Sequence, residues 1–479
     1  MIRYIHNAKS NKNTINILYK NHNQAMNSIT PVTGNGRLSI SILFLIFSLS
    51  SKMFVFASQQ NTSQNTSIAK SQHQEHQVPP SSPPIPPELI KQAQAQTQEF
   101  LKFFKTPTQQ FMPLGFFAMA EDMRNIDILS KLQERGINFV HKYGSVQRVW
   151  HAITDLRAAQ VANIGVLQNL PSAYVASHGT RFWQDHISAL AASNQILAWY
   201  LPEEAKPADI PKLKQIADII RTTDSMKRPI ITYASQANAE YLRRVAAVVD
   251  VLVFGAYPSL YMPRPRADIK RRIDTAYESG APVVVAALES LKGRRNWTRR
   301  KDVRFDAYLS LVSGAKGIMW YGYYYARSRP KLVESILEVA MELNGSMQLG
   351  EVLLTGEQPT SLTCTLVEGP AHSPPTSAYE ENWQANNTFT RYDSLQWTAR
   401  KHKGALYIFA VNAAQKVVSG PATDDGGSSY SVTAKFGPFN SDSSKVDVIG
   451  EERSITPSLG YFSDSFLPLA VHIYKIPVD

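Results

Sequence analysis

The sequence predicts a (β/α)8 (TIM) barrel followed by a small all-β sandwich, with a disordered tether in front of both. Three observations carry this. Short apolar runs alternate with amphipathic stretches between Phe111 and Gly345, period-two segments take over beyond about Gly350, and a Gln-, Asn-, Ser- and Pro-rich stretch comes before either. A chain of 479 residues is too long for one ordinary core. With 43% hydrophobic and 19% charged residues, most of it can bury enough apolar surface to offset the entropy of ordering.

Residues 38–49 (LSISILFLIFSL) are strongly apolar, follow Arg37 and lead to Val55-Phe56-Ala57 before Ser58, the layout of a secretory signal with a small-residue cleavage site. Lys52 interrupts the run, and Met26 is an alternative start within the long leader. The run is shorter than the roughly 20 residues a spanning helix needs, so cleavage is favoured, with an uncleaved anchor as the alternative if 53–56 extend it. Region 1–57 is therefore a signal peptide or anchor. The protein is expected to be secreted or periplasmic, or else held at the membrane by this segment. Region 58–87 (QQNTSQNTS, then PPSSPPIPP) has little to bury and is expected to be a disordered linker.

The barrel is expected over 88–349. Residues 88–105 read as a leading helix that starts after prolines, stops before Pro107 and flanks the barrel. Strands are expected at 115–120, 139–143, 163–168, 196–201, 230–234, 251–257, 283–288 and 317–321. Their near-continuous hydrophobicity suits parallel strands buried on both faces, and stretches such as 209–222 and 267–278 have the amphipathic period of crossover helices. Eight such units in this length match a (β/α)8 barrel. From 350 to 479, alternating segments at 394–400, 405–412, 431–436, 445–448 and 471–476 are bounded by turn residues and predict a β-sandwich.

The formal charge of +11 comes without any nucleic-acid reading motif, so nucleic acid is not an expected partner. The lone Cys364 allows no intramolecular disulfide and no cysteine zinc cluster. No metal-ligand spacing, phosphate-cradling glycine loop or nucleophile elbow is present, so no cofactor is expected.

In such a barrel the chemistry sits at the C-terminal ends of the strands. The fourth apolar run ends in Leu201-Pro202-Glu203-Glu204 and the seventh in Leu288-Glu289-Ser290, so two carboxylates from separate strands can face each other across the mouth. Hydrolysis of a glycosidic bond needs one protonated carboxyl for the leaving oxygen and one ionised carboxylate to attack or shield the sugar centre. A carboxyl separation of about 5–5.5 Å gives retention and about 6.5–9.5 Å gives inversion. A single Glu after a strand is also a common helix N-terminal charge or ion-pair partner.

The arrangement resembles the large retaining clan of (β/α)8 glycoside hydrolases, clan A, with acid/base after strand four and nucleophile after strand seven. The resemblance implies Glu204 as acid/base and Glu289 as nucleophile, with Glu203 where the clan often has Asn or Asp. It implies that Tyr257, in FGAYP, hydrogen-bonds the nucleophile and that Trp320, in GIMWYGY, is a sugar platform. His141 and Lys142 after the second strand, with Gln168 and Asn169 after the third, stand where sugar hydroxyl ligands are expected. Tyr233 adds aromatic surface at the same rim, as do Trp199, Tyr200, Tyr321, Tyr323 and Tyr324. The C-terminal domain resembles the small β-domain beside many such barrels and is expected to be mainly structural.

Residues 292–304 (KGRRNWTRRKDVR) carry seven basic residues against Asp302. They suit an acidic sugar, since guanidinium pairs bidentately with carboxylate or sulfate, or else form a solvated basic loop. The sequence thus points to a retaining glycoside hydrolase acting on an extracytoplasmic oligo- or polysaccharide. The alternative is an inactive glycan-binding or cell-envelope scaffold on the same barrel.

Overall fold

Each apolar run becomes one strand of a closed, all-parallel barrel in sequence order, because a strand covered by helices outside and side chains inside must be apolar on both faces. The computed structural model describes residues 87–142, 149–171, 179–235, 238–257, 266–290, 298–373, 392–415, 429–439 and 445–478. The expected leader and tether, up to residue 86, and residues 291–297 of the basic loop lie outside them. Among the described residues no helix is long and apolar enough to cross a membrane.

The barrel strands are β1 (Leu114–Phe117), β2 (Phe139–His141), β3 (Gly165–Asn169), β4 (Ile196–Tyr200), β5 (Ile230–Ala234), β6 (Val251–Ala256), β7 (Val284–Glu289) and β8 (Ile318–Tyr321). β8 closes on β1 through Leu114 opposite Ile318 and Phe117 opposite Tyr321. Side chains alternate between two separate cores. Val140, Val166, Trp199, Leu252, Leu288 and Trp320 face the helices, whereas Phe117, Leu167, Ala198, Tyr200, Tyr233, Val253, Ala287 and Met319 fill the lumen. Large lumen rings need small neighbours. At Gly255 a Cβ would overlap the Tyr233 hydroxyl, and at Gly115 it would overlap the Phe139 ring.

The leading helix Pro87–Leu101, with the 3-10 turn Lys102–Phe104, does more than flank the barrel. Phe100, Leu101 and Phe104 join the lumen cluster, and Phe104 meets Phe139 edge-on at 5.9 Å between centroids. The helix therefore caps the interior from the end at which strand β2 begins, opposite the end at which the strands finish.

After the last barrel helix, Pro330–Asn344, a further short helix, Leu349–Thr355, precedes the sheets, where the sequence suggested strand pattern from 350 onward. The strands that follow are β9 (Thr363–Glu368), β10 (His372–Ser373), β11 (Tyr392–Asp393), β12 (Leu395–His402), β13 (Ala405–Asn412), β14 (Val432–Gly437), β15 (Val446–Val448), β16 (Arg453–Ile455), β17 (Phe462–Phe466) and β18 (Val471–Pro477). They form a five-stranded sheet in the order β12-β13-β18-β15-β16, a three-stranded sheet β17-β14-β9, and the pair β10-β11, all antiparallel. Strand β13 is buried on both faces. Leu406, Ile408 and Ala410 enter the core shared with Phe436 and Phe462, while Phe409 and Val411 join the barrel's outer core. Phe409 stacks on Tyr308 of the barrel helix Arg300–Val312, and Arg304 from that helix donates to the Val471 carbonyl at 2.6 Å. Trp397 packs on Phe436 between the sheets.

Candidate functional site

The inward row ends, at the C-terminal side of the barrel, in a ring of polar and aromatic groups. Phe117, His141, Tyr200, Tyr233, Tyr257 and Tyr321 form its floor, with neighbouring ring centroids 4.1–6.3 Å apart. Asn169 and Glu289 occupy the matching positions of β3 and β7 by alternation from the lumen residues Leu167 and Ala287.

Glu289 is the last residue of β7 and is buried, with Arg266 Nη2 donating to its Oε1 at 3.4 Å. Arg266 also pairs with Asp302 at 3.3 Å and with Asp306, both on the helix that follows β7. Burial acts to lower the Arg266 pKa, but Asp306, Asp302 and Glu289 outweigh it and raise it. Asp306 goes the other way. Its burial pushes the carboxyl up to about 8, with Arg266 opposing and Glu289 and Asp302 adding to the rise. For Asp302, burial is overcome by Arg266 and Arg299, which hold it below the usual carboxylate range.

Glu204 lies beyond β4 in a turn where its backbone N–H donates to the Tyr233 carbonyl at 3.0 Å and the Ser235 hydroxyl donates to its Oε1. Its φ of 47° is in the left-handed region, which costs an L-residue about 1–2 kcal/mol and persists only where surrounding structure enforces it. Ala118, at the end of β1 on the same rim, has φ 63°. Burial and the Glu204 charge together push Tyr241 up to about 12, so Glu204 also lies in the electrostatic neighbourhood of that phenol. Glu203 is half-buried beside it in the same turn.

The remaining expected ligands divide by strand parity. His141 points into the lumen, stacked on Phe117 at 4.5 Å and against Tyr200 at 4.1 Å, and neither ring nitrogen has a hydrogen-bond partner among the described residues. Burial lowers its pKa to about 3, so it is neutral at ordinary pH. Tyr257 and Tyr233 are both in the floor. The Tyr257 hydroxyl lies among those of Tyr233, Tyr321 and Tyr200, and burial first, then these phenols, raise its pKa. The contact with Glu289 implied by the resemblance is not the one found: Glu289 is met by Arg266.

Trp320 is 1% exposed and sits on the outer row against Phe116, so it packs under the helices while its neighbour Tyr321 takes the lumen position. Trp199 is likewise outward and donates its indole N–H to Asp224 at 2.9 Å. Gln168 is on the outer row too, its amide donating to the Asn169 carbonyl at 3.0 Å. Lys142 turns to the helix Val149–Val161 and pairs with Asp155 at 2.7 Å, where Arg124 also binds. Tyr323 is buried against Phe116, and Tyr324 is exposed. Of the basic run, Arg299 pairs with Asp302, Arg300 with Glu338 and Arg304 with Glu342, while Lys292, Arg294, Arg295 and Trp297 lie outside the described residues.

Sequence reasoning passed over Ser235, Arg266 and Asp306. Asp306 carried a signal, since it is a carboxylate set directly among Phe305, Ala307, Tyr308 and Leu309 in the sequence of a helix. Among the described residues no group of His, Cys, Asp and Glu could hold a metal ion.

Neither a protein-family model nor a curated protein sequence matches the chain. Among solved structures it is similar to an Anoxybacillus α-amylase, at 10% identity and TM-score 0.48, covering 77% of this chain and 98% of that one. A β-galactosidase from Bacillus circulans sp. alkalophilus matches at 9% identity and TM-score 0.48, covering 77% and 99%. A family 5 glycoside hydrolase from Bacteroides vulgatus matches at 13% identity and TM-score 0.47, covering 77% and 90%. Likenesses of this size carry no argument about chemistry, which has to come from the site itself.

Proposed function

We propose that the chain is a retaining glycoside hydrolase, with Glu289 as nucleophile and Glu204 as acid/base. What supports this reading is that Glu289 ends β7 and Glu204 follows β4, its backbone N–H bonded to the carbonyl of the lumen residue Tyr233. In the reaction Glu204 donates a proton to the departing glycosidic oxygen while Glu289 forms a glycosyl ester, and water activated by Glu204 then releases the sugar. Ser235 orients the Glu204 carboxyl by its hydrogen bond. Arg266 holds the Glu289 carboxylate by a buried ion pair at 3.4 Å. Phenol and imidazole groups of the floor offer donors and acceptors to sugar hydroxyls, and their ring faces suit apolar C–H surfaces. The apolar run at 38–49 leads us to place the substrate outside the cytoplasm.

A glycan-binding protein without turnover is the second reading, and the complete burial of the Glu289 side chain in an ion pair favours it. The test is turnover of neutral and acidic aryl glycosides and polysaccharides by the unmodified chain, Glu204→Gln and Glu289→Gln. Loss in both variants, with azide rescue of Glu289→Gly giving inverted product, supports hydrolysis. Glycan binding with no turnover by the unmodified chain would establish the second reading.

A further inference from the structure

We propose that Arg266 is a positioning residue for Glu289 and that the C-terminal β domain fixes it there through Gln415. The proposal rests on the reading of Glu289 as nucleophile.

The guanidinium of Arg266 is buried among three carboxylates from two elements: Glu289 at the end of β7, and Asp302 and Asp306 on the helix Arg300–Val312. A guanidinium presents its donors in a rigid plane. Anchoring that plane on Asp306 and Asp302 therefore sets the direction in which the remaining N–H groups meet Glu289. The charges would not balance if every group were ionised, since Arg266 and Arg299 face Glu289, Asp302 and Asp306. Asp306 Oδ1 is buried with no hydrogen-bond partner among the described residues, which suits a neutral carboxyl and not a third buried anion. With Asp306 neutral, the charge of Arg266 stands chiefly against Asp302 and Glu289, and Asp302 has Arg299 as well.

The backbone beside Arg266 is held from the other domain. Ala267 donates its N–H to the Gln415 side-chain oxygen at 2.9 Å, and Gln415 is fully buried. The Gln415 backbone is fixed in turn, its N–H donating to the buried Ser373 hydroxyl at 2.9 Å. Ser373 lies on β10 and Gln415 follows β13, so two segments of the sheet domain hold the residue next to Arg266.

The test is the pH dependence of kcat and KM for the full chain, Arg266→Lys, Gln415→Ala and Glu289→Gln. Weakening the guanidinium contact should move the acid limb of kcat/KM to higher pH in Arg266→Lys. Gln415→Ala, which keeps every charge, should move the same limb in the same direction and lower kcat roughly fivefold with KM little changed. A purely structural role would lower the melting temperature and leave the limb in place, which would overturn the proposal. If Arg266→Lys does not fold, Gln415→Ala decides alone. Glu289→Gln as active as the unmodified chain, or an unmodified chain without turnover, would overturn both this assignment and the hydrolase reading. Glu289→Gln inactive with an unmoved limb in the other variants would overturn the Arg266 assignment alone.

Discussion

Replacing Asp306 with Asn isolates the proton in the Arg266 cluster and needs no knowledge of the substrate. An unfolded Asp ionises near 3.8, whereas burial in the folded chain raises Asp306 to about 8. Between those values the folded state binds one proton more than the unfolded state, so stability falls as pH rises. The stabilising contribution is complete below the unfolded pKa and is lost as pH climbs through the folded one. The slope is about 1.4 kcal/mol per pH unit, so the unmodified chain loses about 3 kcal/mol at this site between about pH 5 and about pH 7. Asn cannot titrate and mimics the neutral acid in shape. Urea unfolding of both proteins at the two pH values should therefore show the variant gaining about 3 kcal/mol relative to the unmodified chain on going to the higher pH. A stability difference constant to within about 0.5 kcal/mol would mean that Asp306 is ionised against Arg266, and the charge argument for the cluster would fail.

Three other outcomes are expected. Ser235→Ala removes the hydroxyl that orients Glu204 and should lower kcat/KM about tenfold, equivalent to about 1.4 kcal/mol, and unchanged kinetics would dismiss that role. His141 is held near 3 by burial, so the unfolded chain gains a proton near 6.5 that the folded chain refuses, and stability is lost as pH falls below 6.5. His141→Phe should therefore lose less stability than the unmodified chain on acidification from about pH 6.5 to about pH 4.5, by up to about 3 kcal/mol, and an imidazole NMR shift titrating near 6.5 would refute this. Trp199→Phe leaves Asp224 without its indole donor and should cost about 1–3 kcal/mol by urea unfolding without altering KM for any glycan, since the indole lies outside the lumen.

The sequence by itself determined the eight strands, their order, the change to antiparallel sheets and the two glutamates worth examining. Hydrophobic runs punctuated by turn residues encode these locally. Tertiary structure decided which neighbour on each strand faces the site. Parallel strands covered on both sides show no polar–apolar alternation, so Trp320 and Tyr321, or Trp199 and Tyr200, look alike in sequence although one of each pair points under the helices. It also decided the partners of the carboxylates. Arg266 meets Glu289 and Asp306 across 23 and 40 residues of chain, and Gln415 reaches Ala267 across 148. Contacts of that range leave no periodic trace in sequence, because they exist only once closure of the barrel and docking of the sheets have brought the segments together.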